Sequence, residues 1–167
     1  NITSLWGDGE AVWTPGEALM IVGPDGVGKT SLLQQLWLAR AGLIDKLLGV
    51  PVDPAEGLGV YLAMDRPAQA ARSFRRMVVE GDAPALRERL AVWKGPLPVN
   101  VLERPSMLAD WIAAEFPGVS DVFVDSLKDL APKLSDDEVG SKLNMARQEL
   151  LARGLQVVEA HHQRKEQ

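Results

Sequence analysis

No cysteine occurs among the 167 residues, which excludes disulfides, cysteine-ligated zinc and thiol nucleophiles. Long apolar runs are missing too. None approaches the ~20 residues of a membrane-spanning helix, and the N-terminus has no basic-then-apolar order of a signal peptide. A cytoplasmic location, with no membrane partner, is the default expectation. Basic charge is in short supply: 18 Lys and Arg stand against 23 Asp and Glu, for a formal net charge of −5. That argues against a broadly basic, nucleic-acid-coating surface but leaves room for a local basic patch. Histidine occurs only as the adjacent pair His161-His162, so no second cluster is there to complete a histidine metal site. Internal repeats, low-complexity tracts and interdomain linkers are also absent.

What is there suits a globular domain with one sizeable core: 46% hydrophobic and 25% charged residues over 167 positions. The most informative stretch is Gly23-Pro24-Asp25-Gly26-Val27-Gly28-Lys29-Thr30, a G-x-x-x-x-G-K-[ST] phosphate-binding loop. It follows an apolar, strand-like run, Ala18 to Val22. It precedes Ser31 to Arg40, whose spacing and composition predict a helix. The loop glycines allow a tight turn in which successive N–H groups face phosphate oxygens, and the helix N-terminus adds its dipole. Lys29 can reach the β- and γ-phosphates, and the Thr30 hydroxyl can ligate Mg²⁺. The expected nucleotide-binding set is therefore Gly23, Pro24, Asp25, Gly26, Val27, Gly28, Lys29, Thr30 and Ser31, with ATP and Mg²⁺ as cofactors.

The rest of the chain alternates strands and helices. Gly42 to Gly59, rich in glycine and proline, predicts a loop with a short helical turn. Val60 to Met64 predicts the second strand, and Pro67 opens a helix running to about Glu80. Leu90 to Trp93 predicts a short strand. Ser106 to Phe116 predicts a helix with Ser106 as its N-cap, stopped by Pro117-Gly118. Val119 to Val124 predicts a buried strand. Val139 to Arg153 predicts a helix whose apolar face carries Val139, Leu143, Ala146, Leu150 and Leu151, ended by Gly154. Leu155 to Ala160 predicts the last strand. Such alternation implies a mostly parallel sheet covered on both faces, with ligands at the carboxyl ends of the strands.

Those strand ends carry polar groups. Asp121-Val122-Phe123-Val124-Asp125-Ser126 is an apolar strand ending in a carboxylate, and Asp125 can hold Mg²⁺ opposite Thr30. Asp65, after the second strand, could orient and deprotonate the water that attacks the γ-phosphate. His161-His162-Gln163-Arg164-Lys165 follows the last strand, where one imidazole could sense the γ-phosphate and Arg164 or Lys165 could reach a phosphate. Adjacent residues of an extended chain point to opposite sides, so at most one histidine should face the nucleotide.

The order GPDGVGKT, YLAMDRPAQ, DVFVDS and VVEAHHQRK resembles the core of RecA-like P-loop ATPases. More narrowly, it is similar to RepA-type hexameric helicases and mobile-element ATPases related to DnaB. The resemblance runs from Trp6 to Lys165 and implies a three-layer α/β core with the last strand lying between the P-loop strand and the Asp125 strand. It also implies Asp65 at the catalytic carboxylate position, with Met64 as an alternative register and an aspartate where the family carries glutamate. Asp125 would be the Mg²⁺-associated carboxylate, and His161 or His162 a sensor. Arg164 is the candidate arginine finger towards a neighbouring subunit. Arg72, with Arg75 and Arg76 on the helix after Asp65, corresponds to a region from which an arginine often stacks on adenine. The segment from Lys128 to Val139 falls where a mobile DNA-binding loop is expected, but its acidity fits a surface loop better.

The implied protein is an ATPase acting as the motor of a homo-oligomeric ring or hexamer, with single-stranded DNA as an admissible partner. A second reading is a slow nucleotide-dependent switch for a protein partner. A nucleotide or small-molecule kinase is disfavoured, because no Arg-rich lid follows the Asp125 strand. Cores of this type normally continue with further strands, so residues 1–167 are expected to be one RecA-like domain cut short at its C-terminus.

Overall fold

A computed structural model describes residues 4–24, 28–64, 66–77, 84, 88–130 and 137–162. Two short strands, β1 (Trp6–Asp8) and β2 (Glu10–Trp13), pair as an antiparallel hairpin before the main sheet begins. They are followed by β3 (Leu19–Gly23) and α1 (Lys29–Arg40). A second small hairpin comes next, β4 (Lys46–Leu47) with β5 (Val50–Pro51). The chain then runs through β6 (Leu58–Ala63), α2 (Pro67–Met77), β7 (Leu90–Lys94), α3 (Ser106–Glu115), β8 (Val119–Asp125), α4 (Leu127–Leu130), α5 (Asp137–Ala152) and β9 (Gln156–His162).

The main sheet has five strands in the order β3-β9-β8-β6-β7, and every pairing is parallel. The last strand in sequence therefore inserts between the P-loop strand and the Asp125 strand, as the resemblance implied. Parallel strands need crossovers, and α1, α2, α3 and α5 supply them on both faces. This is the three-layer α/β core expected from the alternation of elements.

Side-chain alternation sorts the strands between two cores. Tyr61 and Ala63 of β6, Phe123 of β8, and Val158 and Ala160 of β9 join Leu33, Leu36 and Trp37 of α1. Val60, Leu62, Val122, Val124 and Val157 face the other way and pack with Leu108, Ala109 and Ile112 of α3 and Leu143 and Leu150 of α5. Because the strands are buried on both faces, they read as near-continuous apolar runs. The N-terminal hairpin closes the first core. Trp6 and Trp13 are buried there, and the Trp6 indole donates to the Leu47 carbonyl at 3.2 Å. Gly59 lets α1 approach the sheet: a Cβ there would sit 3.0 Å from the Trp37 ring, whose Nε1 donates to the Gly59 carbonyl at 2.9 Å.

One buried and one partly buried ion pair pin helices to strands among the described residues. Arg40, at the end of α1, grips Asp121 through Nε (2.6 Å) and Nη2 (3.0 Å), and its Nη1 donates to the Asp53 carbonyl at 2.7 Å. Arg147 of α5 holds Glu159 of β9 through two bonds of 2.8 Å.

Three local expectations need correction. Gly42 to Gly59 contains the β4–β5 hairpin rather than a helical turn, because Trp6 pairs with Val52 and its indole anchors Leu47. Helix α3 is capped at Pro105, with no side-chain cap bond, so Ser106 is its first helical residue. The last strand runs two residues beyond Ala160, because β3 pairs with it as far as His162. The apolar face expected for α5 is present, with Leu143, Ala146 and Leu150 buried and Val139 and Leu151 packed beside them.

Candidate functional site

The site is built where β3, β8 and β6 end. Gly28 precedes α1 in the left-handed region, with φ 86° and ψ 22°, a conformation that a side chain would strain. The first helical bond of α1 runs from the Leu32 amide to the Gly28 carbonyl, at 3.0 Å. The amides of Lys29, Thr30 and Ser31 come before it and have no acceptor within the helix. No acidic residue occupies the first turn. This end of a 12-residue helix accordingly favours an anion, both by its dipole and by its free donors.

Lys29 is buried, and its ammonium is held by the loop itself: Nζ donates to the Gly23 carbonyl at 2.7 Å and to the Pro24 carbonyl at 2.6 Å. A buried cation needs such partners, and these also hold the side chain folded over the loop. The next residue points at the sheet. The Thr30 hydroxyl donates to Oδ2 of Asp125 at 3.0 Å, across 95 positions of sequence. Asp125 is itself buried, and the same Oδ2 accepts a 2.5 Å bond from the Tyr61 hydroxyl. Burial, reinforced by the neighbouring Asp125 charge, pushes the Tyr61 phenol well above its ordinary range, so it stays a donor at neutral pH.

The hydroxyl of Thr30 and the carboxylate of Asp125 are hard oxygen donors of the kind Mg²⁺ selects. Among the described residues no group of three or more acidic or histidine side chains could hold a metal alone. Thr30 and Asp125 would therefore hold a magnesium ion together with a bound nucleotide rather than by protein side chains alone. The residues present fit that ion.

The structure thus brings together Gly23, Pro24, Gly28, Lys29, Thr30, Ser31 and Asp125. Asp25, Gly26, Val27, Asp65 and Arg164 lie outside the described residues. The backbone leading to Asp65 is nonetheless tied to the site: Ala63 stands in register with Asp125, and the Met64 amide donates to the Asp125 carbonyl at 3.1 Å. Arg72 lies on the exposed side of α2 and makes no hydrogen bond or ion pair among the described residues. His161 is half-buried beside Val22, in the series of Val157 and Glu159 that faces α3 and α5. Strand alternation therefore places it on the sheet face opposite Thr30 and Asp125.

Sequence reasoning missed Tyr61 and Gln34. Gln34 is buried on α1 beside the Tyr61 hydroxyl, and its Nε2 donates to the Ala70 carbonyl of α2 at 2.9 Å. One signal was available for Tyr61. It is the only tyrosine in the chain, set in an otherwise apolar strand, and a buried phenol requires a hydrogen-bond partner.

A family profile described as an AAA domain matches residues 5–167. The chain belongs to the AAA-type P-loop ATPases. Nucleotide binding and ATPase activity come with that membership, and the match takes in all of the elements described above. No curated protein matches this AAA domain. Among its described residues no helix is long and apolar enough to cross a membrane.

Proposed function

We propose that this AAA domain is the Mg²⁺-dependent motor core of an oligomeric DNA-processing ATPase, of the kind typified by RepA-type and DnaB-related helicases. The observation that carries the reading is the Thr30–Asp125 contact at the mouth of the P-loop, with β9 running between β3 and β8. It joins a phosphate-binding helix end to a metal-binding carboxylate in RecA-like strand order.

In this reading the loop amides and Lys29 hold the β- and γ-phosphates of ATP. As the γ-phosphoryl group departs, negative charge grows on its oxygens and on the bridging oxygen. Lys29, exchanging the Gly23 and Pro24 carbonyls for those oxygens, stabilises that charge. Thr30 and Asp125 would hold Mg²⁺, which would supply positive charge to offset that of the phosphates. Tyr61 is a positioning residue that fixes the Asp125 carboxylate by donating to Oδ2. Asp65, one residue beyond a backbone bonded to Asp125, takes the role of orienting the attacking water. Arg164 of one subunit reaches the nucleotide of the next as an arginine finger.

Phosphate release measured with and without single-stranded DNA tests the proposal, alongside sedimentation with ATP. Stimulation by DNA and assembly into a ring are expected. An ATPase that stays monomeric and ignores DNA would overturn the motor and leave the nucleotide switch.

A further inference from the structure

A cavity of about 370 Å³ lies between α1, α2 and the β6–β7 edge of the sheet, apart from the P-loop. Helix α2 has only Ala70 buried among its described residues, and Pro67, Ala70, Ala71, Phe74 and Arg75 of that helix line this space. Its volume is far above that of a packing defect in a close-packed core and lies within the roughly 300–1,000 Å³ range of small-molecule sites. Three rings form one wall. Trp37 stacks obliquely with Tyr61 at 5.1 Å and with Phe74 at 4.9 Å between centroids.

Two polar features give the cavity a chemical direction. Gln34 is 1% exposed, and its Oε1 has no hydrogen-bond partner among the described residues, although Nε2 donates to the Ala70 carbonyl. An orphaned buried carbonyl asks for a donor. Arg75 and Lys94 also line the cavity, and both are exposed and form no ion pair among the described residues. The cavity is thus aromatic inside, offers one buried acceptor, and carries two cations unpaired among the described residues.

We propose that this cavity is a second small-molecule site, separate from the nucleotide site. Its ligand is a compact aromatic compound with one N–H or O–H donor and one anionic end of the carboxylate or sulfonate class. The ring lies against Trp37, Tyr61 and Phe74, the donor meets Gln34 Oε1, and the anion is held by Arg75 and Lys94. The site also has a line to the metal-binding carboxylate, since Tyr61 both walls the cavity and donates to Asp125. Occupancy and Mg²⁺-ATP binding are then coupled reciprocally. That coupling rests on the nucleotide reading above, whereas the site itself does not.

Anilinonaphthalene sulfonate, which carries an aromatic body, an N–H and an anion, is the probe. Its fluorescence on the whole chain without nucleotide should rise to one saturable site. Ala71→Trp, on the lining of the cavity, should abolish that site. R75E/K94E, which alters only exposed side chains, should weaken it at least tenfold with an unchanged circular dichroism spectrum. Failure of the probe to saturate, or undiminished binding to Ala71→Trp, would overturn the site. Undiminished binding to R75E/K94E would overturn the anionic class of ligand. Adding Mg²⁺-ATP separates this proposal from the ATPase reading: coupling shifts probe affinity to a plateau. A shift that grows without limit means simple competition at the P-loop and overturns a separate site.

Discussion

The two faces of the sheet are built on different principles. The face covered by α3 and α5 is almost wholly apolar, and the partly buried ion pair there, Arg147–Glu159, is two-pronged and structural. The face covered by α1 and α2 carries the bonded set Thr30, Asp125 and Tyr61, with Lys29 and Gln34 tied to backbone carbonyls nearby, and leaves a cavity beside it. Both faces are equally deep inside the protein, since Leu33 and Ile112 are each fully buried. The difference shows where the molecule places its chemistry. Packing on one side holds the strands in register, so that polar groups on the other side meet at the carboxyl ends of β3, β6 and β8.

The sharpest break of this comparison is Arg40→Ala. Asp121 would be left buried and unpaired at the amino end of β8, and a loss of about 3–5 kcal/mol in denaturant unfolding is expected. Removing a group of the phosphate-binding end of the same helix, α1, should do something different. Lys29→Ala should cut phosphate release by roughly 10²–10³-fold, the scale of one transition-state donor, and should leave the unfolding midpoint nearly in place. Hydrolysis at the parental rate would sink the assignment of Lys29. On the opposite face Ile112→Ala should cost about 2–4 kcal/mol of stability through the cavity it opens. Its turnover per folded molecule should not change, and a selective loss of activity would show that the faces are not separable.

Tyr61→Phe is the subtlest case, because it keeps the ring and removes only the hydroxyl. Activity should fall about tenfold, on the scale of one hydrogen bond to a charged group at ~1.5 kcal/mol. The half-saturating Mg²⁺ concentration should rise, which a purely structural role would not cause. The same residue sets a pH signature. Its phenol is raised well above the ordinary value of 10.0, so the folded protein keeps a proton that the unfolded chain gives up. This contribution is complete below about pH 10 and is lost as pH rises from there towards the folded value. Alkaline unfolding followed in parallel should show the parent losing stability above pH 10, with Tyr61→Phe flatter over the same range.

Much of this was readable along the chain because the signals were local. The P-loop is a contiguous string, and the apolar strands β6, β8 and β9 are contiguous runs. The apolar face of α5 follows from helical spacing over 16 residues. Asp125 could be singled out as the carboxylate ending an apolar strand. The hairpins β1–β2 and β4–β5 could not be read, since two- to four-residue strands have too little periodicity and the two are tied to each other through the Trp6 indole, 41 positions from Leu47. His161 looked like a sensor by its place after the last strand. At most one of the pair was expected to face the nucleotide, and the pleat puts His161 on the α5 side, in series with Glu159.

The sequence by itself determined the phosphate loop, the alternation of strands and helices, and the residue types at the strand ends, because each depends on near neighbours. Tertiary structure alone decided which of those ends converge. Strand order and pleat set which face each side chain takes, and both are fixed by pairings between positions far apart. Thr30 and Asp125 are separated by 95 residues, and Tyr61 and Asp125 by 64, yet they share one carboxylate oxygen. The cavity under α2 belongs to the same class of fact: its lining comes from α1, α2, β6 and β7, and no local pattern brings those together.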